Sequence, residues 1–385
     1  MKVSCLNKIS PLGLNNFTTK YEISEEINNA DLLLVRSFNM HDHPINNNLL
    51  AVARAGAGVN NIPLEKMADA GVVVFNTPGA NSNGVKELVI AGMLMSARDL
   101  VGGIDWVRNN KQDQDILKTI EKAKSAFGGT EILGKTILVI GLGAIGGKVA
   151  NAASDLGLKV IGYDPYLSDE AKALLNHDIE INNVLEESYP VADYISLHLP
   201  LLESTKEMIN KEVFKMLKPG VVLLNFARDL LVHNEDLKNA IDEKIVKKYV
   251  TDFPNHFVAN MDNVIAFPHL GASTEESEDN CAIMAVKQLM AYVEKGEIIN
   301  SVNYPNVKLE NLSSTSRIIV LAKNQPTIAR EIEKFLAAFE TSITNKISKV
   351  KGEYAFYCTD LNIEVPNSLI QALESIEGIN KVRVI

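Results

Sequence analysis

Ile137-Leu-Val-Ile-Gly-Leu-Gly-Ala-Ile-Gly146 is the stretch from which the fold is read. Thr136 to Ile140 are apolar or β-branched, the pattern of a buried strand. Gly141-x-Gly143-x-x-Gly146 follows, and Ile145, Val149, Ala152, Ala153 and Leu156 then recur at helical spacing. A second strand, Leu158 to Tyr163, ends on Asp164. Strand, glycine turn, helix, strand and acid in that order form the dinucleotide-binding βαβ unit. Gly141 makes the tight turn, Gly143 lets a pyrophosphate approach the backbone, and Gly146 lets helix pack on strand. Ala144 and Ile145 offer backbone N–H groups at the positive end of the helix. Asp164 suits the two ribose hydroxyls and would repel a 2′-phosphate, which favours NAD over NADP.

The bulk numbers limit what else the chain can be. Its 385 residues are 46% hydrophobic and 22% charged, enough for two or three domains with cores. A net charge of −10 argues against nucleic acid or anionic membrane as partner. There is no membrane-length apolar run and no signal segment, so a cytoplasmic protein is expected. Cys5, Cys281 and Cys358 are far apart and include no CxxC, which suggests reduced thiols and no metal site.

Around the glycine motif the chain reads as α/β throughout. Strands are expected at Lys2–Leu6, Leu32–Val35, Leu50–Arg54 and Val72–Phe75, and a short helix at Leu64–Ala70. Two of these strands deliver cations, Arg36 (beside Ser37) and Arg54, to the end where open α/β sheets bind ligands. A polar loop, Asn76 to Gly84, precedes one long buried helix from Val85 to about Arg108. Beyond Asp164, successive strands deliver His198 with Pro200, Ala227 with Arg228, Asp252, and Pro268 with His269. His177, His233 and His256 have no such placement and are expected in solvent. A helix runs from Ser273/Thr274 to Glu294. Residues 301–315 read as a linker, and 317–385 as a separate ferredoxin-like βαββαβ unit.

With these residues in hand, the chain resembles the NAD-dependent D-2-hydroxyacid dehydrogenases. Within that family it looks most like the bacterial phosphoglycerate dehydrogenases that carry a C-terminal ACT domain. The match rests on the glycine motif, Asn225-Phe-Ala-Arg228, Thr251-Asp252-Phe-Pro254 and Pro268-His269-Leu-Gly-Ala-Ser-Thr274. It also rests on Val35-Arg36-Ser37, Arg54-Ala-Gly-Ala-Gly-Val-Asn60 and Phe75-Asn-Thr-Pro78 with Asn81. The resemblance implies two doubly wound lobes with a cleft between them plus the C-terminal domain. Residues 1–82 and 272–304 would form the substrate-binding domain, 83–271 the NAD-binding domain and 312–385 the ACT-like domain.

It also implies a chemistry. His269 would move the hydroxyl proton, and Arg228 would hold the carboxylate and polarise the C2 oxygen. Gly141, Gly143, Ala144, Ile145, Gly146, Asp164, His198, Pro200, Ala227 and Asp252 would bind NAD. Arg36, Ser37, Arg54 and Asn81 would bind the substrate, a small phosphorylated hydroxy acid. The reaction expected is oxidation of 3-phospho-D-glycerate, by a homodimer or homotetramer. Two alternatives are an unphosphorylated D-2-hydroxy acid and a non-catalytic NADH-responsive regulator.

Three departures from the family pattern stand out. No Glu follows Asp252-Phe253-Pro254, so Asp262 or Asp252 would support His269, or nothing would. Asp229 follows Arg228 where a small residue is usual, and His233 replaces a common Asp. Ala322-Lys323-Asn324-Gln325-Pro326-Thr327 keeps the Asn of the ACT effector loop but loses its His and Gly, so serine feedback is expected to be weak or absent.

Overall fold

The computed structural model describes residues 1–385 and separates them into two compact units, Met1–Asn81 with Glu275–Ile385, and Ser82–Thr274. In the first unit a five-stranded, all-parallel sheet runs in the order Glu22–Ile23, Lys2–Cys5, Leu32–Val35, Ala51–Arg54, Val73–Phe75. Leu32–Val35 is buried along its whole length, which is why it reads as an unbroken apolar run and not as an alternation. Arg36 and Arg54 lie just past or at the carboxyl ends of neighbouring strands.

The second unit holds a seven-stranded parallel sheet. Its order is Val264–Ala266, Val246–Thr251, Val221–Asn225, Tyr194–Leu197, Thr136–Ile140, Lys159–Tyr163, Glu180–Ile181. The chain reverses its direction of winding between Thr136–Ile140 and Tyr194–Leu197, the switch point at which such sheets bind ligands. The helix Gly146–Asp155 packs through Val149, Ala150 and Ala153.

The C-terminal residues form a four-stranded antiparallel sheet in the order Ile343–Lys351, Tyr354–Leu361, Ser316–Lys323, Ile379–Val384, with helices Pro326–Ala337 and Asn367–Glu374. This is the expected βαββαβ arrangement. Its central strand is buried on both faces. Ile318, Val320 and Ala322 pack on the sheet's own helices, with Ile328, Ile332, Leu336, Leu369 and Leu373. Ile319 and Leu321 point the other way, into one cluster with Ala285, Leu289, Tyr292 and Phe75 of the first parallel sheet's core. The period of two in a strand places these two sets on opposite faces. The sheet therefore does not stand apart as the sequence reading had it. Its second face would be bare without the helix Glu275–Lys295.

Two further expectations need correction. Residues 301–315 are not a simple linker. Tyr304, Val307 and Leu309 are buried, Ser301 bridges Phe75, and the Tyr304 hydroxyl donates to the Ala68 carbonyl at 2.7 Å. Apolar residues interleaved among the turn formers Asn303, Pro305 and Asn306 carry that packing. The long helix expected over 85–108 is two helices, Ser82–Ala97 and Leu100–Asn109. The break is made by Asp99, whose carboxylate accepts from the Gly102 N–H at 3.0 Å and caps the second helix. That second helix is also not buried, for Leu100, Val101, Ile104 and Val107 are exposed. No helix is long and apolar enough to cross a membrane.

Candidate active site

In the second unit the glycine turn is built as its sequence demands. Gly141 has φ +92°, and a Cβ there would sit 2.7 Å from the His198 carbonyl oxygen. A Cβ on Gly146 would lie 1.8 Å from the Gly141 carbonyl oxygen. By contrast a Cβ on Gly143 meets nothing within 4 Å. Open space therefore stands over the turn where a pyrophosphate needs it, and the residues fit the dinucleotide. Asp164 lies beside this space. Its Oδ2 accepts from the Leu142 N–H and its Oδ1 from the Tyr166 N–H, both at 2.9 Å. An ionised carboxylate has about four acceptor positions, so two remain for ribose hydroxyls.

His198 lies under the turn. Its Nε2 is 2.8 Å from the Ser196 hydroxyl, and burial pushes its pKa down to about 3. It is a neutral packing group against the glycine turn, with no charge to offer a ligand. Pro200 is exposed, and its carbonyl accepts from the Thr205 hydroxyl at 2.7 Å.

Arg228 is exposed, and its mounting was not visible in the sequence motif. Buried Asn225 holds the loop. Its Oδ1 accepts from the Ala227 and Arg228 N–H groups at 3.2 and 3.4 Å, and its amide donates to the Arg228 carbonyl at 2.8 Å. The same amide donates to the Tyr249 hydroxyl at 3.1 Å. Arg228 Nη1 donates back to the Ala227 carbonyl at 2.6 Å. An Asn at the end of a buried strand, three residues before the arginine, was the available signal.

His269 follows the strand Val264–Ala266 and adopts φ +53°, a conformation uncommon outside glycine and typical of functional sites. Its exposed ring rests 4.7 Å, centroid to centroid, from Phe253. Asp252 is 2% exposed. Its Oδ2 accepts from the Gly271 N–H at 3.0 Å, and its Oδ1 has no partner. Burial raises the Asp252 pKa, and the Gly271 hydrogen bond with the charges of His269 and Arg228 pulls the other way. The hydrogen bond of the Asp252 carboxylate goes to the Gly271 N–H and not to His269. Asp262 is exposed at the amino end of the strand whose carboxyl end leads to His269, so it cannot replace the missing Glu. The orphaned Asp252 Oδ1 is a buried acceptor awaiting a donor, and a carboxamide N–H is such a donor.

Of the other histidines, His177 and His256 are exposed as expected. His233 is not free. It caps the helix Asn234–Asp242, accepts from the Asp236 N–H, and its Nδ1 lies 3.0 Å from the Asp236 carboxylate.

In the first unit, a residue that the sequence reading missed organises the substrate-side candidates. Asn7 Oδ1 accepts from three successive backbone N–H groups, those of Arg36, Ser37 and Phe38, at 2.9, 3.1 and 3.0 Å. The Arg36 carbonyl accepts from Arg54 Nε at 3.0 Å. Arg36 and Arg54 therefore belong to one cluster, and Ser37 is exposed beside them. Arg36 Nη2 forms an ion pair with Glu278 Oε1 at 2.7 Å. Asn81 Oδ1 is buried without a partner. No group of His, Cys, Asp and Glu side chains could hold a metal.

Known proteins resemble the chain at the level of family and fold. Residues 90–271 match the D-isomer specific 2-hydroxyacid dehydrogenase, NAD binding domain. D-3-phosphoglycerate dehydrogenase of Methanocaldococcus jannaschii is 31% identical over 393 residues, covering 99% of this chain and 71% of that protein. Hydroxypyruvate reductase of Thermotoga maritima is 34% identical over 287 residues, covering 70% of this chain and 87% of that protein. The NAD+-bound crystal structure of 3-phosphoglycerate dehydrogenase from Entamoeba histolytica superposes with a TM-score of 0.62 at 27% identity, covering 79% of this chain and 98% of that one. The chain carries a glycine turn shaped for a dinucleotide with an acid beside it, and it belongs to the NAD-dependent D-isomer specific 2-hydroxyacid dehydrogenases.

Proposed function

We propose that the reaction is oxidation of 3-phospho-D-glycerate to 3-phosphohydroxypyruvate, the entry to serine synthesis. The observation that carries this reading is the Arg36–Arg54 cluster. It supplies cations at strand ends in the first unit, in addition to Arg228 in the second. A substrate with an anion at each end calls for two such groups, whereas a simple hydroxy acid calls for one. The match to the D-3-phosphoglycerate dehydrogenase of Methanocaldococcus jannaschii, over 99% of this chain and 71% of that protein, supports the same reading.

In this proposal His269 takes the C2 hydroxyl proton and returns it in the reverse direction. Arg228 binds the carboxylate with its planar fork and stabilises charge developing on the C2 oxygen. Bound NAD supplies the hydride acceptor. Asp252 accepts from the carboxamide of the cofactor, and Asp164 from its ribose. Arg36, Ser37 and Arg54 take the phosphate, and Asn81 orients the substrate.

The test is NADH consumption with 3-phosphohydroxypyruvate beside hydroxypyruvate, pyruvate and glyoxylate. A kcat/KM at least a hundredfold higher for the phosphorylated acid is expected. Parity, or preference for hydroxypyruvate, defeats the reading. The second reading, reduction of an unphosphorylated acid, is favoured by the 34% identity to a hydroxypyruvate reductase.

The same proposal includes a cytoplasmic setting, in keeping with three free cysteines. It also includes a homodimer or homotetramer, supported by the exposed apolar face of Leu100–Asn109. Light scattering on the purified protein tests the assembly. We read the C-terminal βαββαβ unit as an ACT-like domain.

A further inference from the structure

Arg36 does not stand open. Its guanidinium is paired with Glu278 at 2.7 Å, and the two side chains are 39% and 44% exposed. Both are within reach of a solute. The Arg36 backbone cannot carry the side chain elsewhere, because its N–H is held by Asn7 and its carbonyl by Arg54. Glu278 is equally fixed in place, on the first turn of the 21-residue helix Glu275–Lys295. Burial pushes the thiol of Cys281, on the same helix, up; a hydrogen bond with Thr77 and then the charges of Arg54 and Arg36 pull it down, and Glu278 pushes it up. The Arg36–Glu278 ion pair and the Arg54 hydrogen bond to the Arg36 carbonyl make one compact group of two cations and one carboxylate.

We propose that Glu278 sets the charge selectivity of this site: it is the resident counter-ion of Arg36, and a phosphate must displace it. This rests on the reading of Arg36 as a substrate anion site. The physical argument is competition. A phosphate group carries close to two negative charges near neutral pH and offers three strong acceptor oxygens. It can outcompete a single carboxylate for a guanidinium. A substrate with a neutral hydroxyl at that end cannot, and it leaves the Arg36–Glu278 pair intact. Glu278 therefore costs affinity for every phosphorylated ligand and costs nothing for an unphosphorylated one. The like charge it presents to an arriving phosphate is a repulsive element that narrows the preference for a phosphorylated acid over an unphosphorylated one.

The experiment is a double-mutant cycle on the full chain with NADH present. E278Q keeps size and removes charge. It is expected to lower the KM for 3-phosphohydroxypyruvate about tenfold at similar kcat, and to leave the KM for hydroxypyruvate within twofold. In an R36Q background the same substitution should have no effect on either KM. Inorganic phosphate, tested as an inhibitor of whichever acid is turned over, should bind about tenfold tighter to E278Q than to wild type. A KM for both acids that moves together, or a gain that persists without Arg36, overturns the proposal. The substrate reading fails separately. If no phosphorylated acid is turned over but E278Q still tightens phosphate inhibition in an Arg36-dependent way, the counter-ion role stands and the phosphoglycerate reading does not. If phosphate inhibition is also unchanged, Glu278 is only a helix-end charge and both fall.

Discussion

The Asn255 side-chain amide donates to both carboxylate oxygens of Asp229, at 3.1 and 3.3 Å. Two departures from the family pattern thereby meet. Asp229 puts a carboxylate next to Arg228, and Asn255 lies on the loop from which the usual Glu is missing. The carboxylate is tied to the amide. Asn255 Oδ1 meanwhile accepts from the Val258 N–H at 2.8 Å and caps the turn His256–Ala259. One side chain therefore restrains the extra charge and starts the next element. Asn255→Ala should cost about 1 kcal/mol as a lost cap and free Asp229 to compete for Arg228. The KM for the keto acid should rise about fivefold with NADH affinity unchanged, and Asp229→Asn in the same chain should restore it. Steady-state kinetics of the three variants decide. No rise in KM means that Asp229 never reaches Arg228.

His269 holds no carboxylate in hydrogen-bond contact, so in the proposed reaction its ring would take the proton without one. His269→Gln should lower kcat by about 10²–10⁴-fold, the usual contribution of a positioned acid–base group. NADH binding, followed by fluorescence, should be kept. A variant that still turns over at a tenth of the native rate would leave His269 without its assigned role.

His198 gives the cofactor unit a pH dependence of stability. Its folded pKa is about 3, below the ordinary histidine value of 6.5. The unfolded chain therefore binds a proton that the folded one refuses. Stability from this group is complete above about pH 6.5 and falls as pH drops from there toward 3. Melting temperature measured across that window should decline in the native protein and decline less in His198→Gln. Identical slopes for the two would show that other groups govern the acid limb.

Arg317 and Asp360 are the buried ion pair of the C-terminal sheet. Arg317, 2% exposed, donates through Nε and Nη2 to the two Asp360 oxygens at 2.6 and 2.8 Å, and through Nη1 to the Lys295 and Glu310 carbonyls. Arg317→Ala strands a buried carboxylate, which costs about 3–5 kcal/mol. Because this sheet shares its core with the first parallel sheet, that loss should lower the unfolding of the whole first unit, not of the C-terminal residues alone. Hydrogen exchange at Leu32–Val35 reads this out. Unchanged protection there would mean that the two sheets unfold independently.

Serine at millimolar concentration should leave the rate unchanged. Lys323 gives its ammonium to Asp69 and the Tyr354 hydroxyl, and Asn324 donates to the Gly352 carbonyl at 3.0 Å. The loop is occupied in holding the sheet to the helix Leu64–Asp69. Serine inhibition in a direct rate assay would refute this.

The glycine turn, Asp164, Arg228 and His269 were legible because each is a local demand. A positive φ, an acid closing a strand, or a charge at a strand end leaves its mark within a few residues. Asn225 and Asn7 were not legible as supports, because an amide reveals its purpose only through partners brought to it by the fold. Asn7 serves Arg36 from a different strand. The helix break at Asp99 was missed because apolar spacing continues through it, and the cap competes with that spacing locally. The double burial of Ser316–Lys323 was hidden for the opposite reason. An apolar strand records that both its faces are covered but not by what.

The shared core also dictates an order of events while the chain is being made. The cofactor unit is contiguous, Ser82–Thr274, and can close as soon as its last strand has left the ribosome. The other unit opens the sequence, yet the residues that cover its helix Glu275–Lys295 include Ile319, Leu321 and Phe356. Its first strands must therefore wait through the synthesis of an entire foreign domain. They are made before that domain and buried after it, and for that interval their apolar faces lack the cover that Glu275–Lys295 supplies.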